Sequence, residues 1–158
     1  MERHNRCVSW LAEKMRQLWR CQVKEERRTT ADIQGRPGRM DITARRPDGV
    51  LSVDVAIAAV ASVDDAELMR RFRDPGRAAR AEVKKKLRRY GPSVLAFVIE
   101  DTGRMAASTC RVLRELACSQ EETPHDEAYQ KLVRELQHIV LSASANLRQA
   151  ARGQPRTA

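Results

Sequence analysis

Apolar residues recur at helical spacing over positions 3–20. Cys7, Val8, Leu11, Met15, Leu18 and Trp19 fall on one stripe, and the pattern predicts an amphipathic first helix. Positions 21–27 predict a short strand. Positions 29–39, with two threonines, Asp32, two glycines and Pro37, have loop composition. The most legible local feature follows, RMDITARRPDGVLSVDVAIA, in which two β-prone runs flank Arg46-Pro47-Asp48-Gly49. Pro at the second turn position and Gly at the fourth suit a type I turn, so the two runs form a hairpin. On its second strand Leu51, Val53, Val55 and Ile57 share one face, and Ser52, Asp54 and Ala56 the other.

Positions 62–73 read as a linker with a short helical pattern around Leu68, Met69 and Phe72. Asp74-Pro75 reads as an N-cap and first helical position, opening a second main helix that runs to about Tyr90 and is stopped by Gly91-Pro92. Positions 94–99 form a continuous apolar run, the pattern of a central strand buried on both faces. After Gly103 a third helix carries Met105, Thr109, Val112, Leu113 and Leu116. Thr123-Pro124 opens a last long helix with Tyr129, Leu132, Val133, Leu136, Ile139, Val140 and Leu147 at core spacing. The order is helix, strand, hairpin, helix, strand and two helices: an α/β sandwich in one domain over 1–152, with a disordered tail at 153–158.

Charge changes this picture. There are 30 Lys plus Arg against 21 Asp plus Glu, a net of +9, and positions 70–90 alone hold ten basic and two acidic residues. So concentrated a stretch suits a polyanion, because cations that neutralise phosphates release condensed counterions; a solvated Arg-rich surface accounts for the composition equally well. Cys7, Cys21, Cys110 and Cys118 form no CxxC pair and no His stands at zinc-ligand spacing from them. This argues against a disulfide framework and a zinc site. With no signal peptide or apolar run of spanning length, a soluble intracellular protein is expected, nuclear if it acts on chromosomal DNA.

Counting outward from the turn sets Asp41 directly opposite Asp54. Directly opposed side chains lie about 5 Å apart at Cβ. Two carboxylates that close repel unless a cation lies between them, and a hard divalent ion is the natural one. Strand capping or pairing with arginines is the alternative for both. Asp48, in a literal Pro-Asp dipeptide, belongs to the turn tip. Glu25 or Glu26, of which only one can face the site, is the candidate for a third acid. Of the lysines in the second helix, Lys86 lies about 60° from the centre of the stripe Ala79, Val83, Leu87 and Tyr90, Lys84 about 100° and Lys85 about 160° on the other side. Lys86 is therefore best placed to reach over the sheet, and Lys84, Lys85, Arg88 and Arg89 read as solvent-facing or DNA-contacting. His4, His125 and His138 are isolated and read as surface or helix-end residues. P-loop, dinucleotide and GxSxG motifs are absent.

These residues resemble the restriction-like endonuclease domain of eukaryotic non-LTR retrotransposon polyproteins, a branch of the PD-(D/E)XK nucleases. The likeness runs from Arg3-His4-Asn5 to the last helix. It is clearest in RMDIT with Asp41, LSVDVAI with Asp54 after twelve intervening residues, KKKLRRYG with Lys86, Arg89 and Tyr90, and FVIEDTGRM with Glu100. Met40 stands where the family has proline, and Ala56 where the (D/E)XK triplet has lysine. The resemblance implies a restriction-endonuclease-like core of helix, three strands, helix and strand, with two further C-terminal helices. It implies Mg²⁺ or Mn²⁺ on Asp41 and Asp54, Lys86 as the lysine migrated from strand to helix, Tyr90 as support, and Glu25 or Glu26 as the early acid. The expected function is metal-dependent nicking of double-stranded DNA for retroelement integration, within a larger reverse transcriptase polyprotein or in a domesticated stand-alone chain. A DNA-binding module of the same fold without cleavage is the alternative, and a protein-interaction domain that dimerises through its last helix is the third reading.

Overall fold

The computed structural model describes residues 2–31, 35, 37–61 and 64–152, and their side chains except those of 2, 26–31, 37–39 and 143–152. The chain runs α1 (Glu2–Trp19), β1 (Gln22–Ala31), β2 (Pro37–Arg46), β3 (Gly49–Ala58), α2 (Asp65–Arg73), α3 (Arg77–Tyr90), β4 (Val94–Glu100), α4 (Ala107–Cys118) and α5 (His125–Arg152). The strands form one open sheet in the order β1-β2-β3-β4. Pairing is antiparallel from β1 to β3 and parallel between β3 and β4. A parallel pair needs a long crossover, and α2 with α3 supplies it, which makes the fold α/β. No described helix is long and apolar enough to cross a membrane.

Alternation along β3 divides the interior in two. Val53 and Val55 face a cluster that includes Leu11 and Met15 of α1, Phe97, Leu113 of α4 and Leu136 of α5, with Leu51 and Ile57 against it. Ala56 and Ala58 point the other way and meet Ala78 and Ala79 of α3 with Ala96 and Val98 of β4. The first layer is filled by large side chains. The second is filled largely by alanines, so α3 lies close on the sheet.

Four sequence expectations change. β1 extends to Ala31 and β2 begins at Pro37, so most of the expected 29–39 loop is strand: Thr30 pairs with Gly38 and Ala31 with Pro37 beyond a register shift after Arg27. Threonine favours strands, and a proline is tolerated at a strand's first residue. Asp74-Pro75 does not open α3. Asp74 closes α2, its N–H donating to Arg70 O, and the N-cap of α3 is Gly76 at φ +83°, a left-handed conformation that no helix interior adopts. β4 is buried on both faces but is the last strand of the sheet. Its apolar run records cover by helices, not a central position. Met105 precedes α4 and bridges Ile99 instead. The expected tail at 153–158 lies outside the described residues.

α3 begins without a side-chain cap of its own. One of its first free donors, Ala79 N–H, is taken at 3.2 Å by Oε1 of Glu100 from the end of β4, a carboxylate only 2% exposed. Thr102 Oγ1 donates to the other oxygen at 3.3 Å. The expected cost of Glu100→Ala, which leaves Ala79 N–H buried and unpaired, is about 1–3 kcal/mol of unfolding free energy in urea titration. Glu100→Gln retains an amide oxygen as acceptor and should lose clearly less; equal losses would mean that the contact with Ala79 contributes nothing.

Candidate active site

β2 and β3 part company where the two aspartates stand. Their register runs from Arg46 opposite Gly49 to Ile42 opposite Val53 and ends there, while β2 stays paired with β1 as far as Arg27 opposite Met40 and beyond. The Val55 N–H, which a continuing ladder would have taken, donates at 2.7 Å to Asp41 Oδ2 instead. The carboxylate thus replaces a strand carbonyl at the head of a fork. Met40, on the far side of Asp41 from Ile42, is buried with Tyr90 and Val94 and not in Ile42's cluster.

Asp54, the next residue of β3, faces α3, and Lys86 Nζ donates to its Oδ1 at 2.8 Å. From α1 comes His4, whose Nε2 lies 3.2 Å from both Asp41 Oδ2 and the Val55 carbonyl oxygen. Its Nδ1 is 3.3 Å from Asn5 Oδ1. Both ring nitrogens therefore face acceptors, an environment that suits the doubly protonated ring. Arg3, His4, Asp41, Asp54, Lys86 and Asp101 line one cleft of about 430 Å³. Asp101 is engaged elsewhere, its Oδ1 accepting from Val60 N–H at 3.0 Å. Among the described residues no cluster of three His, Cys, Asp or Glu side chains has the arrangement of a metal site.

The carboxylates influence each other in opposite directions. Burial raises the pKa of Asp41, but the His4 hydrogen bond and the Val55 N–H outweigh it, and the net shift is downward. Burial likewise raises Asp54; Lys86 opposes this, the neighbouring Asp41 adds to it, and the net shift is upward. The surroundings of Asp41 therefore favour its charged form, whereas burial and the neighbouring Asp41 disfavour the charge on Asp54 more than Lys86 favours it.

Of the residues singled out in the sequence, Asp41, Asp54 and Lys86 come together. Tyr90 is buried behind the cleft against Met40, with the Arg89 guanidinium 4.9 Å over its ring. Glu25 is directed away, accepting from Arg16 at 2.7 Å and Ser9 at 3.2 Å on the α1 face. The Glu26 side chain lies outside the described residues. Lys85 is exposed beside Glu82. Lys84 and Arg88 line a different groove at the outer edge of β4. Asp48 stays at the turn tip, paired with Arg46. His4 is not the isolated surface residue expected: it stands three and seven residues before Cys7 and Leu11 on the buried stripe of α1, and that spacing was the available signal.

The sequence matches no protein-family model, and no curated protein matches it.

The Asp41 hydrogen bond raises the His4 pKa, burial lowers it, and the net shift is upward. In Asp41→Asn the largest raising influence goes and burial remains, so the His4 pKa, followed by NMR in metal-free protein, should fall below its value in the parent chain. An unchanged His4 titration would mean that the two side chains do not interact in solution.

Proposed function

We propose that the chain is a metal-dependent endonuclease acting on double-stranded DNA, built on a restriction-endonuclease-like core. The observation that carries this reading is the convergence of Asp41, Asp54 and Lys86 from β2, β3 and α3 on one cleft. The element order supports it, since α1, the three strands β1 to β3, α3 and β4 give helix, three strands, helix and strand, with α4 and α5 following.

Asp41 and Asp54 would hold Mg²⁺ or Mn²⁺, with the Val55 carbonyl as a neighbouring oxygen. These are hard donors of the kind such ions take, and Mg²⁺ habitually completes its shell with water. A cation beside Asp54 would offset the burial and the neighbouring Asp41 that disfavour its charge. When bound, such an ion supplies Lewis-acid polarisation of the phosphate and a bound water of lowered pKa. The protein's own groups do the rest. Lys86 brings an ammonium to the carboxylate pair and would stabilise charge developing on the scissile phosphate or orient the attacking water. His4 holds Asp41 ionised and fixed in direction.

Around α3, at ~100° per residue, Arg89 and Lys85 lie about 60° and 100° from Lys86 on one side. With Arg3 at the cleft, they are the phosphate contacts we assign. By resemblance, the nick would serve retroelement integration as a primer for reverse transcription, in a domain of a larger polyprotein.

Incubation with supercoiled plasmid tests the reading directly. Open circles should form with Mg²⁺ or Mn²⁺ and not with EDTA. Asp54→Asn should abolish nicking, and Lys86→Ala should slow single-turnover cleavage by roughly 10² while DNA binding is retained, the range for losing an electrostatic or acid-base group. Binding without cleavage by the parent chain in either metal would replace the enzyme with a DNA-binding module of the same fold.

A further inference from the structure

The basic residues of α3 divide between two sides of the helix. Lys85 and Arg89 flank Lys86. Arg80, Lys84 and Arg88 lie on the opposite side, where with Arg111 of α4 they surround a groove of about 770 Å³ along the outer edge of β4. Val83, Leu87, Pro92 and Leu95 contribute apolar surface to it, and Leu87 is 42% exposed. No carboxylate lines the groove. Arg80 is already paired with Asp74. Lys84, Arg88 and Arg111 have no acidic partner among the described residues.

The edge of β4 is satisfied along only part of its length. Ala96 C=O accepts from Ser108 Oγ at 2.6 Å. Val98 N–H donates to Thr109 Oγ1 at 2.8 Å, and Val98 C=O accepts from Ala106 N–H at 3.0 Å. Glu100 N–H donates to Arg104 O at 2.6 Å. The outward-facing residues are therefore the even-numbered ones, since the N–H and C=O of one strand residue point to the same side. By the same alternation Val94 N–H, Val94 C=O and Ala96 N–H point outward into the groove, and no partner for them is found among the described residues.

We propose that this groove binds a short extended segment of an acidic partner polypeptide, which adds to β4 beside Val94–Ala96. The segment pairs its backbone with the Val94 and Ala96 groups, sets apolar side chains against Val83 and Leu87, and presents Asp or Glu to Lys84, Arg88 and Arg111. Ser108 ends the pairing at Ala96, so the segment is only a few residues long. The outward Val94 C=O favours a polypeptide over a DNA strand, because it needs a donor and the sugar-phosphate backbone of DNA offers only acceptors. The proposal stands independently of cleavage at the Asp41–Asp54 cleft.

The probe is a fluorescein-labelled, end-blocked Val-Glu-Val-Glu-Val-Glu peptide, with a Val-Lys repeat as control. Anisotropy should register binding of the Glu peptide alone, and hydrogen exchange at the Ala96 amide should slow on its addition. Arg111→Glu and Lys84→Glu, both changes of exposed residues, should each weaken binding by roughly tenfold or more through charge reversal. Equal binding of the Lys peptide, or unchanged exchange at Ala96, would overturn the proposal. So would protection of the Ala96 amide by concentration of the protein alone, which assigns the edge to a second copy, or by a DNA oligonucleotide that displaces the peptide.

Discussion

The bond from Val55 N–H to Asp41 Oδ2 is the interaction on which the cleft depends. A β-strand cannot leave its neighbour without stranding a donor or an acceptor, and a buried stranded donor costs free energy comparable to a lost hydrogen bond. Asp41 solves this locally: its side chain supplies the missing acceptor at 2.7 Å, and β2 is released from β3 while still paired to β1. The same carboxylate then has His4 on it and Asp54 beside it. Structural and candidate chemical roles meet in one side chain, so a substitution there tests both at once, and Asp54 is the cleaner probe.

Two further elements are brought to that fork by different means. α1 reaches it through its first turn, with His4 continuing the stripe that buries Cys7, Leu11 and Met15. It is tied to α5 near its middle, where Trp10 Nε1 and Lys14 Nζ both reach Glu135, at 3.0 Å and 2.8 Å. α3 reaches the fork from the other face. Its start is held by Glu100 and its end by Gly91, whose N–H donates to Leu87 O at a φ of +76° that favours glycine. Lys86 thus extends from a helix fixed at both ends.

Much of this was legible in the sequence because the information is local. The two-residue turn at Pro47-Asp48 sets the hairpin register as far as Ile42 opposite Val53, which brings Asp41 and Asp54 to the same place, although the ladder ends one step short of pairing them directly; the period of the α3 stripe likewise turns Lys86 inward and leaves Lys85 out. What was missed depends on tertiary context. Whether threonine-rich residues 29–31 form strand depends on a partner strand arriving, and the run at 94–99 is equally apolar whether helices or strands cover it. The spacing of His4 from Cys7 and Leu11 sets it on the buried stripe of α1, but its contact with Asp41 follows from where α1 docks. The split of the basic helix between two grooves required knowing that β4 is the last strand.

The alanine layer beneath α3 has a consequence for how the lysine is set. Ala56, Ala58, Ala78, Ala79 and Ala96, with Val98 and the half-buried Val83, make a thin layer between helix and sheet. The height of Lys86 above Asp54 is thus gauged largely by the methyl groups of alanines, which have no rotamers to adjust. A bulkier residue at any of these positions cannot be absorbed by a change of side-chain conformation and must lift the helix bodily. The layer acts as a thin shim that sets how far the Lys86 ammonium stands from the Asp54 carboxylate.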